Sequence, residues 1–144
     1  SRLRELASVP MPLTVRVVSF SYKQGLPVDD SGHGGGFVLD CRSLPNPGRE
    51  ERFRSLTGED EETVAWLEKQ EDVHAFLARV RDMITQVVRV YQQRNFTYLS
   101  VAFGCTGGQH RSVYCASSLA QSLGRIPGIK VELDHRDKPD FCGS

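Results

Sequence analysis

The chain has 144 residues and a mass of 16.1 kDa, with 18 Lys+Arg against 18 Asp+Glu for a formal charge of zero. That length suits one domain, and the charge balance removes the strongest compositional argument for a dedicated polyanion or anionic-membrane binder. With 39% hydrophobic and 25% charged residues the chain is neither disordered nor collagenous, and no apolar run approaches the roughly 18 residues of a membrane span.

Residues 1–12 lack a secretory-signal pattern, begin without Met, and read as an extension or linker ahead of an excised domain. The domain is expected over 13–138, with a tail over 139–144. Residues 13–22 alternate Leu13, Val15 and Val17 on one face and predict a half-buried first strand. The next fourteen residues mix Gly, Pro, Asp and Ser too densely for regular structure, and read either as a functional loop or as an idle surface turn. FVLDCR, residues 37–42, predicts a short buried strand, stopped by the prolines of LPNPG. Thr57 with Asp60 resembles a capping box, and the acidic turn Glu59–Glu62 suits the start of a helix running to about Gln70. From Asp72, read as a second cap, Val73, Phe76, Leu77, Val80, Met83, Ile84, Val87, Val88 and Tyr91 predict about five turns of amphipathic helix. Residues 97–103 predict a strand, GCTGGQHRS a glycine loop, and Val113, Ala116, Leu119, Ala120 and Leu123 a helix face. After GRIPG, KVELDHR predicts a last strand. The expected fold is a single α/β domain whose sheet has about four mostly parallel strands, flanked by helices.

A strand that ends in a glycine loop and feeds a helix presents unpaired N–H groups at the positive end of the helix dipole, a geometry that binds phosphate. Candidate phosphate ligands are therefore the backbone and side chains of Thr106, Gly107, Gly108, Gln109, His110, Arg111 and Ser112. The spacing is neither that of a Walker A loop nor of a dinucleotide fingerprint. It does match Cys-x5-Arg-Ser, from Cys105 to Ser112, which looks like the phosphate loop of cysteine-dependent phosphatases with Cys105 as nucleophile. Against that enzyme, Gly104 stands where those phosphatases usually have His, and none of Asp29, Asp30, Asp40 or Asp134 is singled out as the acid. The cysteines at 41, 105, 115 and 142 form no C-x-x-C pair and have no His at finger spacing, so no metal is expected; nor is a cofactor. Reduced thiols and a cytoplasmic location fit best.

Four blocks in order, SFSYKQGLPVDD, VLDCRSLPNP, LTG and GCTGGQHRSVY, resemble the C-terminal domain of the RNase adapter protein RapZ family from roughly Val15 to Arg136. The resemblance implies a regulatory domain that binds a phosphorylated amino sugar, glucosamine-6-phosphate, and in enterobacterial members a small RNA. It implies a phosphate pocket at Thr106, Gly107, His110 and Arg111. Arg42 and Arg54 fall at matching basic positions. His33, in an inserted HGGG segment, either lines the pocket or belongs to a plain loop, and Arg136 is a further candidate contact. Two departures, Gly48 where the enterobacterial pattern has His and the C-terminal stretch LDHRDKPDFCGS where that pattern is strongly basic, bear on the RNA role more than on the phosphate site. Full-length family members carry an N-terminal P-loop domain, and others a kinase-like one, so an attached domain or a homo-oligomer is left open. The segment balances of +2 for residues 1–58, −3 for 59–104 and +1 for 105–144 predict weak RNA binding by this domain alone.

Overall fold

A computed structural model describes residues 12–141. The expected extension, apart from Pro12, and the tail from Cys142 onward lie outside the described residues. Four strands, β1 (Leu13–Ser21), β2 (Phe37–Asp40), β3 (Tyr98–Cys105) and β4 (Ile129–His135), form one sheet in the order β2-β3-β1-β4. Every pairing is parallel, so the expectation of a mostly parallel sheet sharpens to an all-parallel one. The helices are α1 (Glu61–Glu68), α2 (Glu71–Gln93) and α3 (Arg111–Leu123).

Handedness explains where the connections lie. Crossovers between parallel strands are right-handed, and β2 to β3 and β3 to β4 both step the same way across the sheet, so their helices share one face. The step from β1 to β2 runs the other way and sends residues 22–36 to the opposite face. There the loop covers Val18, Phe20 and Ala102, while Leu13, Val15, Val17, Leu99, Val101 and Phe103 join the helix-side core.

The stripe of α2 is core, as expected: Val73, Leu77, Val80, Ile84 and Val88 are buried, each contributing about 1.5–3 kcal/mol by leaving water. Several details differ from the sequence reading. Gln70, in extended conformation, precedes α2, and Asp72 instead stands in the first turn, where its charge meets the dipole without capping. The Thr57–Asp60 box closes one turn ahead of α1: the Asp60 carboxylate accepts from the Thr57 amide and the Thr57 hydroxyl from the Glu59 amide. β2 is an edge strand and not a buried one, because only its Phe37 and Leu39 face packs on the core while Val38 and Asp40 are exposed.

Candidate oxyanion site at the ends of β1 and β3

β1 and β3 are neighbours whose following connections leave to opposite faces, and such a switch point opens a crevice beyond the carboxyl ends of the strands. The glycine loop sits there. Strand β3 runs to Cys105, two residues beyond the expected end, in register with Ser21 of β1. Ser21 Oγ donates to the Thr106 carbonyl at 2.7 Å. Gly108 adopts φ of 66°, which favours glycine, and a Cβ there would lie 3.0 Å from the Ser21 nitrogen. Among the described residues, no acceptor meets the amides of Gly107, Gly108 and Gln109. They stand beside the N-terminus of α3, where unpaired N–H groups and the dipole favour negative charge.

Three consecutive side chains that the sequence marks as phosphate ligands reach first for backbone. Gln109 donates to the carbonyls of Arg54 and Leu56 at 2.8 and 2.9 Å. His110 Nε2 lies 2.7 Å from the Phe53 carbonyl and serves as donor to it. Arg111 Nη1 donates to the carbonyls of Arg42 and Leu44 at 2.9 and 3.1 Å. Together with the Gly58 amide, which donates to the Gln109 carbonyl, they pin the excursion from Arg42 to Gly58 against the loop. A Cβ on Gly58 would stand 2.2 Å from the His110 carbonyl, so this close approach requires glycine. Burial holds His110 below the ordinary histidine range, and the carbonyls of Phe53 and Leu56 pull the other way. In its neutral form His110 fastens the excursion and carries no charge.

Arg111 is 6% exposed, yet no described carboxylate lies within ion-pair distance of its guanidinium. Its side chain lines a cavity of about 650 Å³ together with Arg42, Arg49, Glu50, Trp66 and Thr106. Asp40, already forked by Arg42, feels the Arg111 charge through space but does not pair with it, so a buried cation with no direct ion pair, which is costly, lines a cavity of ligand size.

The other expected contacts are not all gathered at this site. Arg42 lines the cavity, but its side chain forks onto Asp40 and lies over the Tyr22 ring at 3.8 Å. Arg54 meets the loop through its carbonyl alone among the bonds formed here. His33 stacks on Tyr98 at 4.7 Å, at the start of β3 and so at the opposite end of the strand from Thr106. Arg136 forms a pair with Asp137 and donates to the Gly25 carbonyl. Ser112 is fully buried, and its hydroxyl accepts from Cys105 Sγ at 3.1 Å. Cys105 is 2% exposed, in a buried group with Cys41 and Cys115; a hydrogen bond with Cys115, then burial, raises the Cys41 thiol. A Cβ on Gly104 would lie 2.4 Å from the Phe20 ring, so the fold has no room for a histidine before Cys105. Asp40 pairs with Arg42, Asp134 with Arg16, and Asp29 accepts from the amides of Ser31 and Gly35 within its own loop, which Asp30 shares.

Ser21 and Asp137 are partners of the loop that the sequence reading does not single out. The Asp137 carboxylate accepts from the Ser21 amide at 2.7 Å. The parallel register of 13–21 against 98–105 is the signal that locates Ser21; Asp137, past the end of β4, leaves no pattern.

The family model for the RapZ C-terminal domain matches residues 13–139. Among curated proteins, the chain is 40% identical over 127 residues to a protein of Acidobacterium capsulatum named nucleotide-binding protein, a match covering 88% of this chain and 39% of that one. It is 38% identical over 135 residues to the RNase adapter protein RapZ of Yersinia pseudotuberculosis, covering 94% and 45%. The same figures hold for the protein of that name from Yersinia pestis. The chain thus spans less than half the length of these relatives.

Proposed function

This chain belongs to the RapZ C-terminal domain family, and from that premise we propose that it is a regulatory module that binds a phosphorylated small molecule at the glycine loop. The observation that carries the reading is Arg111, a buried guanidinium that forms no direct ion pair, on a residue within four positions of the open amides of Gly107 to Gln109. A phosphate group would supply the missing negative charge, with the loop amides and the free nitrogens of Arg111 as donors and the Thr106 hydroxyl in reach. The body of the ligand would extend into the cavity walled by Arg49, Glu50 and Trp66. An amino-sugar phosphate such as glucosamine-6-phosphate is the ligand class implied by the family resemblance. Glu50 offers an acceptor for an ammonium group and Trp66 an apolar ring for a sugar face.

Isothermal titration of the chain with glucosamine-6-phosphate and with glucosamine tests the reading. Binding of the phosphate ester, with none of the unphosphorylated sugar, is expected. Equal binding of the two would contradict it. Any RNA contact is a second layer of the same proposal, drawn from the adapter name of the Yersinia relatives, and is expected to be weak for this domain alone.

A further inference from the structure

Arg136 and Asp137 follow β4 and lie beyond the carboxyl ends of the strands, as the glycine loop does. Asp137 Oδ2 accepts from the Ser21 amide at 2.7 Å and from Arg136 Nη2 at 2.8 Å. Ser21 in turn donates its hydroxyl to the Thr106 carbonyl, and Arg136 Nη2 also donates to the Gly25 carbonyl. A Cβ on Gly108 would lie 3.1 Å from Asp137 Cβ, so this residue forms the wall against which the left-handed turn of the loop rests. The Asp137 side chain is only 15% exposed. Burial pulls its carboxyl up, but the Arg136 and Ser21 hydrogen bonds and the Arg136 charge together hold it below the usual range, so it is ionised at neutral pH.

We propose that Asp137 is a positioning residue for the oxyanion loop: through the Ser21 amide and the Ser21 hydroxyl it fixes Thr106 to Gly108 in the conformation that exposes their amides, with Arg136 neutralising its charge. The inference rests on the oxyanion reading for its function, but the positioning is observable without a ligand. It also gives Arg136 a role other than direct ligand contact. A carboxylate beside an anion site opposes the anion, which explains why Asp137 is tied to a guanidinium and not left free.

The test uses Asp137→Ala, Asp137→Asn and Ser21→Ala. Asparagine, with its oxygen in the Oδ2 place, still accepts from the Ser21 amide, whereas alanine cannot. In the ligand-free protein, backbone order parameters at Thr106 to Gly108 are expected to fall from about 0.85 to about 0.6 or below in Asp137→Ala and Ser21→Ala, and to stay near wild type in Asp137→Asn. The Asp137→Ala and Ser21→Ala effects should be less than additive when combined, since both break one chain of contacts. Order parameters of the α2 amides in the same samples separate this from global loosening. Unchanged order parameters at 106–108 in Asp137→Ala, or an equal fall there and in α2, overturn the proposal. In titrations with inorganic phosphate, Asp137→Ala should weaken binding while Asp137→Asn retains it. If the wild-type chain binds no phosphate, the oxyanion reading fails while the order parameters still decide the positioning.

Discussion

Arg111 donates through Nη1 to the carbonyls of Arg42 and Leu44 and also lines the cavity, a structural tie that brings a positive charge to the cavity wall. Replacing it by alanine is expected to weaken binding of a phosphate ester by about 1.5–3 kcal/mol, measured by calorimetry, the usual worth of a charge-assisted hydrogen bond. Unaltered affinity would remove Arg111 from the site. Titration at two other residues gives a prediction on stability. His110 and His135 are both held below the ordinary histidine value, burial being the larger cause in each, so the unfolded chain takes up protons before the folded one. Their contribution is therefore present above about pH 6.5 and is lost as pH falls from there through the folded values. Thermal melts should show a falling midpoint between pH 7 and 5, with a shallower slope in His110→Gln; a midpoint independent of pH in that range would contradict the assignment. At this scale the sequence marked the loop itself but not its partners. GCTGGQHRS announced donors, yet the carbonyls that Gln109, His110 and Arg111 reach lie 53 to 69 positions away, and nothing local in the chain marks a carbonyl as an acceptor.

The elements were legible where periodicity is long. The stripe of α2 and the alternation of β1 predicted both their existence and their buried faces, because many residues repeat the same choice. β2 misled because a short apolar run does not reveal whether a strand is central or at an edge, and its exposure follows from sheet order alone. The strand, loop and helix around residue 105 depend on close approach, which glycine substitutions can probe. Alanine at 107 meets nothing within 4 Å and requires no unusual backbone. Alanine at 108 is strained by its φ of 66°, at about 1–2 kcal/mol. At 58 it would collide with the first turn of α3, a Cβ standing 2.6 Å from the Tyr114 nitrogen, which overpacks by about 1–3 kcal/mol or more. Chemical denaturation should rank Gly107→Ala near wild type and Gly108→Ala below it, with Gly58→Ala at least as destabilised. A Gly58→Ala protein as stable as wild type would show that the excursion does not press on α3.

For the molecule as a whole, a net charge of zero and the acidic start of α1 limit any long-range attraction for nucleic acid. Two of the four arginines of the 42–54 excursion are already partnered, Arg42 by Asp40 and Arg52 by Glu50. Mobility shift with a stem-loop RNA at about 150 mM salt is expected to give a dissociation constant of roughly 10 micromolar or weaker. Low-nanomolar binding would show that this domain alone carries an RNA site. The central claim is that the glycine loop and Arg111 form an oxyanion receptor, and the most direct test is an NMR titration of backbone amides and arginine Nε–H groups with inorganic phosphate. Saturable shifts confined to Thr106 through Arg111, with the Arg111 Nε–H among them, are predicted. Shifts scattered over exposed lysines and arginines without saturation, or none at the loop, would contradict it.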